Sequence, residues 1–370
     1  MSRPSPTASR PADHDFILIT GCARSGTTLL ASLVEKELSV AIPVDTNVVP
    51  LFQKFLFLWG DLRRDRNRQR LLAALIEFLR IWIYFAVRAK NPEKVSGMSI
   101  LPILEEMQSK NRLFTSFPDL MNQVYGQYAR HKKKDLRGDH GTTMPVPYLW
   151  HRGVGRLKVV HIIRDGRDVA LSWCREWFGP ETIIEAAARW QAHIQAFREW
   201  GRAHPGHYYE LRYEDLIIQP QKAIEKVARF LGVQPQTTEN EITPDGGLAK
   251  LHAGESYHPL LSGPIQSTNA YKWRREMTAD EQDRFELYAG QTLADCGYER
   301  VGRFHSPTDR IGLRLKIEID RLRPIFSIRY HRYWVRMLTP LVIRLCQTFR
   351  IPLARIVLGL HARDQTSDPL

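Results

Sequence analysis

Phe16-Ile17-Leu18-Ile19-Thr20 runs without a break into Gly21-Cys22-Ala23-Arg24-Ser25-Gly26-Thr27-Thr28, and this stretch decides the fold. A short apolar run closed by a glycine turn reads as a buried strand. Beyond the turn, Leu30, Leu33, Val34 and Leu38 recur at helical spacing. In a strand–loop–helix unit the glycines let backbone N–H groups turn inward, and the helix N-terminus adds positive potential, so the loop is built to bind phosphate. It is not a Walker A loop, because Thr27 stands where that motif needs Lys. The cation has moved forward to Arg24, which suits a ligand whose phosphate carries a transferable group, with the guanidinium over the bridging oxygen.

The same grammar recurs twice. Lys158-Val159-Val160-His161-Ile162-Ile163 reads as a strand entering a helix near 169–176, and His207-Tyr208-Tyr209-Glu210-Leu211-Arg212-Tyr213 as another before a helix near 221–231. Strands alternating with helices predict a parallel sheet covered on both faces. The stretch of about 51–135 reads as a mainly helical insertion over the sheet, including 51–59 and 66–90, and a helix over 278–297 closes the domain. The expected class is α/β, a three-layer P-loop-like fold with a helical insertion and a basic helical C-terminal extension. The divisions are a disordered lead at 1–14, a catalytic domain at 15–301 and the extension at 302–370.

After the second strand come Arg164-Asp165-Gly166-Arg167-Asp168-Val169-Ala170-Leu171-Ser172. A guanidinium at the strand end and a hydroxyl eight residues on, about two helical turns, suit a lone phosphate monoester. Asp165 or Asp168 also serves as a helix cap there, and the two roles coexist.

Arg-Ser-Gly-Thr-Thr-Leu after a strand resembles the 5′-phosphosulfate loop of sulfotransferases that use 3′-phosphoadenosine 5′-phosphosulfate (PAPS), in particular the bacterial carbohydrate-type and tyrosylprotein branches. The resemblance implies that Arg24, Ser25, Gly26, Thr27 and Thr28 hold the 5′-phosphosulfate and that Arg164 and Ser172 hold the 3′-phosphate. Arg212-Tyr213-Glu214-Asp215-Leu216 resembles the third-strand signature, in which the Tyr contacts the adenine side. Tyr271-Lys272-Trp273-Arg274-Arg275 resembles the late basic–Trp segment, which would fold Lys272, Trp273 and Arg274 over the 3′-phosphate. The four segments occur in the family's order.

Sulfuryl transfer is an in-line displacement, helped by positioning, by neutralising the bridging oxygen and by removing the acceptor's proton; by analogy with phosphoryl transfer, electrostatics dominate, and no metal is required. Two residues compete as base. Asp45 stands where the family's tyrosylprotein and bacterial branches carry Glu, one methylene longer. His140, in Gly138-Asp139-His140-Gly141-Thr142-Thr143, stands where many relatives have Lys; it is an electrophile in place of that Lys, a base as in the cytosolic branch, or an exposed loop histidine. Asp45 ranks first.

Composition sets the remaining bounds. Of the net +13, a net +10 falls between Arg310 and Arg363, where twelve Lys and Arg meet only Glu318 and Asp320. Arg alternates there with Ile, Leu, Phe, Tyr and Trp, and Pro324, Pro340 and Pro352 break the stretch into short helices. Such helices either lie on an anionic membrane surface or pack on the domain. No nucleic-acid-reading motif is visible. Four cysteines, Cys22, Cys174, Cys296 and Cys346, lie far apart without metal spacing. The N-terminus lacks an apolar signal core, and 71–87 reads as a buried helix or a lipid-touching wall. These features point to the cytoplasm, in part at the inner face of a membrane. The expected function is PAPS-dependent sulfotransfer to a small-molecule, glycan or lipid hydroxyl. The alternatives are a P-loop small-molecule kinase, which a dependence on ATP with Mg²⁺ would reveal, and an inactive nucleotide-binding scaffold at membranes.

Overall fold

The computed structural model describes residues 16–44, 48–87 (backbone only from 81), 99–142, 157–176, 179–235, 264–302, 311–312 and 341–344. In chain order, β1 (Phe16–Thr20) leads into α1 (Thr27–Glu37) and the short β2 (Val40–Ala41). The helical insertion follows as α2 (Val48–Phe52), a 3-10 turn (Gln53–Trp59), α3 (Asp65–Val87), α4 (Leu101–Ser109) and α5 (Phe117–His131). Next come β3 (Leu136–Gly141), β4 (Leu157–Ile163), α6 (Gly166–Cys174), α7 (Ile183–Ala203), β5 (Tyr208–Arg212), α8 (Tyr213–Ile218) and α9 (Pro220–Leu231). A 3-10 turn (Ser267–Asn269) precedes α10 (Trp273–Glu276) and α11 (Ala279–Asp295).

The strands form one parallel sheet in the order β2-β3-β1-β4-β5. From β1 the chain crosses to one side, through β2 and β3, and from β4 to the other, to β5. The crevice between the C-terminal ends of β1 and β4 is therefore a topological switch point, where open α/β sheets bind ligands. Thr20 pairs in register with His161, so the loop after β1 and the turn after β4 emerge side by side.

Every residue of β1 is buried, as expected of a strand covered on both faces. In α3, Leu71, Leu72, Leu75 and Leu79 are buried in the main core, so this part of the 71–87 stretch is a core helix. Among the described residues no helix is long and apolar enough to cross a membrane. Of the basic extension, Gly302, Ile311, Gly312 and the turn 341–344 are described. There Ile343 is buried in the main core and Arg344 donates through Nε to the carbonyl of Leu58 at 2.9 Å. This turn packs on the helical insertion.

β3 was not foreseen. Leu-Arg-Gly-Asp-His-Gly is neither apolar nor alternating, yet it pairs with β1 and β2. Its buried Asp139 is satisfied by the Tyr125 hydroxyl at 2.7 Å and by the His140 N–H at 2.8 Å. His140 is thus a buried strand residue opposite Ile19, and its reading as an exposed loop histidine is corrected.

Candidate functional site

The loop after β1 is shaped by two close approaches. A Cβ on Gly21 would lie 2.5 Å from the carbonyl oxygen of Ile162 in β4, and one on Gly26 would lie 2.6 Å from the Tyr213 ring. Gly26 (φ 92°) and Arg24 (φ 70°) both take left-handed backbone, which glycine accepts freely and arginine does not. A non-glycine residue held there marks a loop whose shape is enforced by its surroundings. Gly26 caps α1 without a side-chain hydrogen bond, so the first-turn N–H groups face the crevice uncapped. Cys22 is buried and its thiol is pushed up to about 12 by burial, so it supplies no thiolate at neutral pH.

Across the crevice, Asp165 caps α6 by accepting from the Arg167 N–H at 3.0 Å. Arg24 reaches over to this helix. Its Nε donates to the Ser172 hydroxyl at 3.0 Å, and its Nη2 lies 3.2 Å from the Glu176 carboxylate. Arg164 is buried and donates through Nη1 to the Arg24 carbonyl (3.1 Å) and through Nη2 to the Asn269 carbonyl (2.9 Å). Its guanidinium stacks 4.5 Å over the Tyr213 ring, whose hydroxyl accepts from the Asn269 side-chain amide at 2.6 Å. Asp168 accepts from Arg164 at 3.4 Å and from the Trp273 N–H at 2.8 Å, yet burial still raises its carboxyl above the usual range.

Among the described residues, the Ser25 hydroxyl, Nε of Arg164 and Nε1 of Trp273 are buried at this site without a hydrogen-bond partner. Leaving a buried donor unmade costs about 1–3 kcal/mol, so such atoms mark places where a ligand completes the bonding. An anion with two phosphate-like ends fits this donor set.

A family model described as "Sulfotransferase family" matches residues 16–238, more than half of the chain. The chain belongs to the sulfotransferase family. Carbohydrate sulfotransferase 2 of Mus musculus and of Homo sapiens is 32% identical over 99 residues, covering 26% of this chain and 18% of each relative. The chain thus matches less than a fifth of the length of those relatives. Sulfotransferase 1A1 of Rattus norvegicus is 22% identical over 171 residues, 39% of this chain and 58% of the relative. Among solved structures, the sulfotransferase domain from the Synechococcus PCC 7002 olefin synthase shares the fold, with a TM-score of 0.51, 18% identity and coverage of 81% of this chain and 99% of that one.

The site residues expected of a sulfotransferase do not all fall in one place. Arg24, Ser25, Gly26, Thr27, Thr28, Arg164, Ser172 and Tyr213 come together at the switch point. Trp273 joins them from behind, buried and held by Asp168. Lys272 flanks Trp273 at the start of α10, while Arg274 is exposed and paired with Glu299 at 2.9 Å. His140 lies one strand away on β3. Asp45 falls outside the described residues.

Several supports of this sulfotransferase site escaped sequence reasoning. Asn269 serves Arg164 through its carbonyl, a group every residue has. Arg167 is not a ligand cation: it is bidentate to Asp165 (3.0 and 2.8 Å), paired with Glu286 at 2.7 Å and stacked 3.5 Å over Trp273. Glu214 accepts from the Asp165 N–H and the Tyr298 hydroxyl, and burial raises its carboxyl. Glu286 also accepts from the backbone N–H groups of Val301 and Gly302. A buried network therefore fixes the turn that aims Arg164.

Proposed function

We propose that this protein transfers a sulfuryl group from PAPS to a hydroxyl acceptor by in-line displacement. One observation carries the reading: Arg24 of the phosphate loop touches Ser172, 148 residues away, beside a buried Arg164 whose Nε has no partner among the described residues. The first-turn N–H groups of α1, with Ser25, Thr27 and Thr28, hold the 5′ end. Arg24 neutralises the bridging oxygen, and Arg164 and Ser172 hold the 3′-phosphate. Tyr213 and Trp273 wall the nucleotide side, with Lys272 and Arg274 over the 3′-phosphate; Arg274 exchanges Glu299 for it.

The acceptor oxygen attacks sulfur and gives its proton to Asp45. The bond from sulfur to the bridging oxygen breaks, and its electron pair leaves with 3′-phosphoadenosine 5′-phosphate (PAP). His140 is the second choice for base. The partial likeness to carbohydrate sulfotransferase 2 favours a carbohydrate hydroxyl, free or lipid-linked. We assign the protein to the cytoplasm, with the remainder of the 310–363 extension touching anionic lipid.

Calorimetry with PAP and with ATP plus Mg²⁺, on wild type and Arg164→Ala, tests the reading. Selective PAP binding that Arg164→Ala abolishes supports it. Equal or tighter ATP binding overturns it in favour of a kinase.

A further inference from the structure

The Arg24 guanidinium is held by a carboxylate as well as by Ser172. Glu176 lies 3.2 Å from Nη2, and both side chains are mostly buried, at 16% and 17% exposure. Glu176 follows Ser172 by four residues, just past the end of α6, so both reach Arg24 from one side of the helix. Its backbone is fixed as well: its N–H donates to the Trp173 carbonyl at 3.1 Å, and its carbonyl accepts from Gly179 at 3.0 Å. Among the described residues Arg24 is the one cation paired with Glu176, since neighbouring Arg175 turns to Glu276. The cation assigned to the donor's bridging oxygen is therefore neutralised from within the protein. An anion approaching Arg24 must compete with a mostly buried carboxylate, which solvent screens poorly.

We propose that Glu176 is the resident counter-ion of Arg24, displaced when nucleotide binds and recaptured when it leaves, so that it weakens nucleotide affinity and speeds product release. This rests on the sulfuryl-transfer reading. Glu176 acts through Arg24 and is a positioning residue. Its removal should improve binding, which loss of a merely structural contact does not do.

The experiment is PAP binding by calorimetry and PAP dissociation by stopped flow, on wild type, Glu176→Gln, Glu176→Asp, Arg24→Ala and the Arg24→Ala/Glu176→Gln double variant. The expected result is about tenfold tighter PAP binding by Glu176→Gln, appearing as slower dissociation. Glu176→Asp stays near wild type, and Glu176→Gln has no effect once Arg24 is absent. If wild type binds PAP while folded Glu176→Gln binds it within twofold of wild type, or more weakly, the counter-ion proposal falls and the donor reading stands. Tightening that persists without Arg24 also overturns it, because Glu176 would then repel the nucleotide directly. Failure of wild type to bind PAP removes both readings. Should Glu176→Gln not fold, Glu176→Ser takes its place under the same criteria.

Discussion

The Tyr213 ring lies directly against Gly26, leaving 2.6 Å where a methyl on residue 26 would sit. The loop after β1 is thus molded on the first residue of α8, just past β5, two strands away in the sheet. Gly26→Ala should lose about 1–2 kcal/mol from the left-handed backbone alone. The clash with Tyr213 adds to that, and PAP affinity should fall with the displaced loop. Adding Tyr213→Ala relieves only the clash. Thermal melts of the single and double variants separate the two contributions; an unchanged melting temperature in Gly26→Ala would contradict the geometry.

Arg24→Ala should reduce kcat about 10²–10³-fold, the usual cost of removing one preorganised stabiliser of developing charge. Arg24→Lys retains charge but cannot bridge Ser172 and Glu176 with one planar group, so it should fall between. Steady-state kinetics with a turned-over acceptor read this. A loss confined to KM would reassign Arg24 to ground-state binding.

Arg167→Met should destabilise the fold by about 3–5 kcal/mol, because it strands the carboxylates of Asp165 and Glu286 in the interior. Chemical denaturation measures this. PAP binding should weaken in the surviving folded fraction, since Asp165 caps the helix that presents Ser172. A near-neutral Arg167→Met would mean that water reaches those carboxylates.

Asp45→Asn should retain PAP binding and lose turnover about 10²–10⁴-fold, as removal of a general base does. His140→Asn should cost less. Single-turnover rates at saturating PAPS rank the two, and a greater loss in His140→Asn would make the strand histidine the base.

Acid should unfold this protein early. His161 and His193 are buried side by side, with Phe197 packed against both. The Tyr208 hydroxyl donates to Glu210 at 3.0 Å and so accepts from Nδ1 of His161 at 2.6 Å, which places the neutral ring's proton on Nδ1. Burial, aided by the charge of Arg198, pushes His161 down to about 3, and burial lowers His193 as well. Between that folded value and the ordinary unfolded value of about 6.5 the unfolded chain binds more protons, so stability falls as pH drops through 6.5. The His161 ring should cost about 2 kcal/mol at pH 5, and His193 adds to the loss in the same direction. Melting temperature against pH, for wild type and His193→Phe, checks the sign: the variant should lose less on acidification.

Legibility in the sequence followed the burial of each element. β1 and β4 announce themselves because both faces are covered, leaving continuous apolar runs next to turn residues. The proposed anion-binding side chains stood out because Arg24, Arg164 and Ser172 flank those turns at fixed offsets. β3 was hidden because its stability comes from tertiary bonds, Tyr125 to Asp139 above all, and not from an apolar pattern. α7 was passed over for a related reason: its buried Trp190, His193 and Phe197 are interspersed with charged residues. Nothing local distinguishes Arg167 from Arg164 either. One is saturated by Asp165 and by Glu286, 119 residues on, while the other keeps a nitrogen unmatched. Partners that distant have no signature in a window of sequence.

Ile343 fills a place in the main core although it lies more than a hundred residues past the end of the family match. A shortened protein ending at residue 302 would keep every described strand and every proposed nucleotide ligand, yet it would open a hole beside the helical insertion and free the Leu58 carbonyl. Refilling that hole is worth about 1.5–3 kcal/mol, a sizeable share of a typical domain's margin. Loss of function in such a truncation would therefore report a leaking interior before it reported anything about the basic extension's own partners.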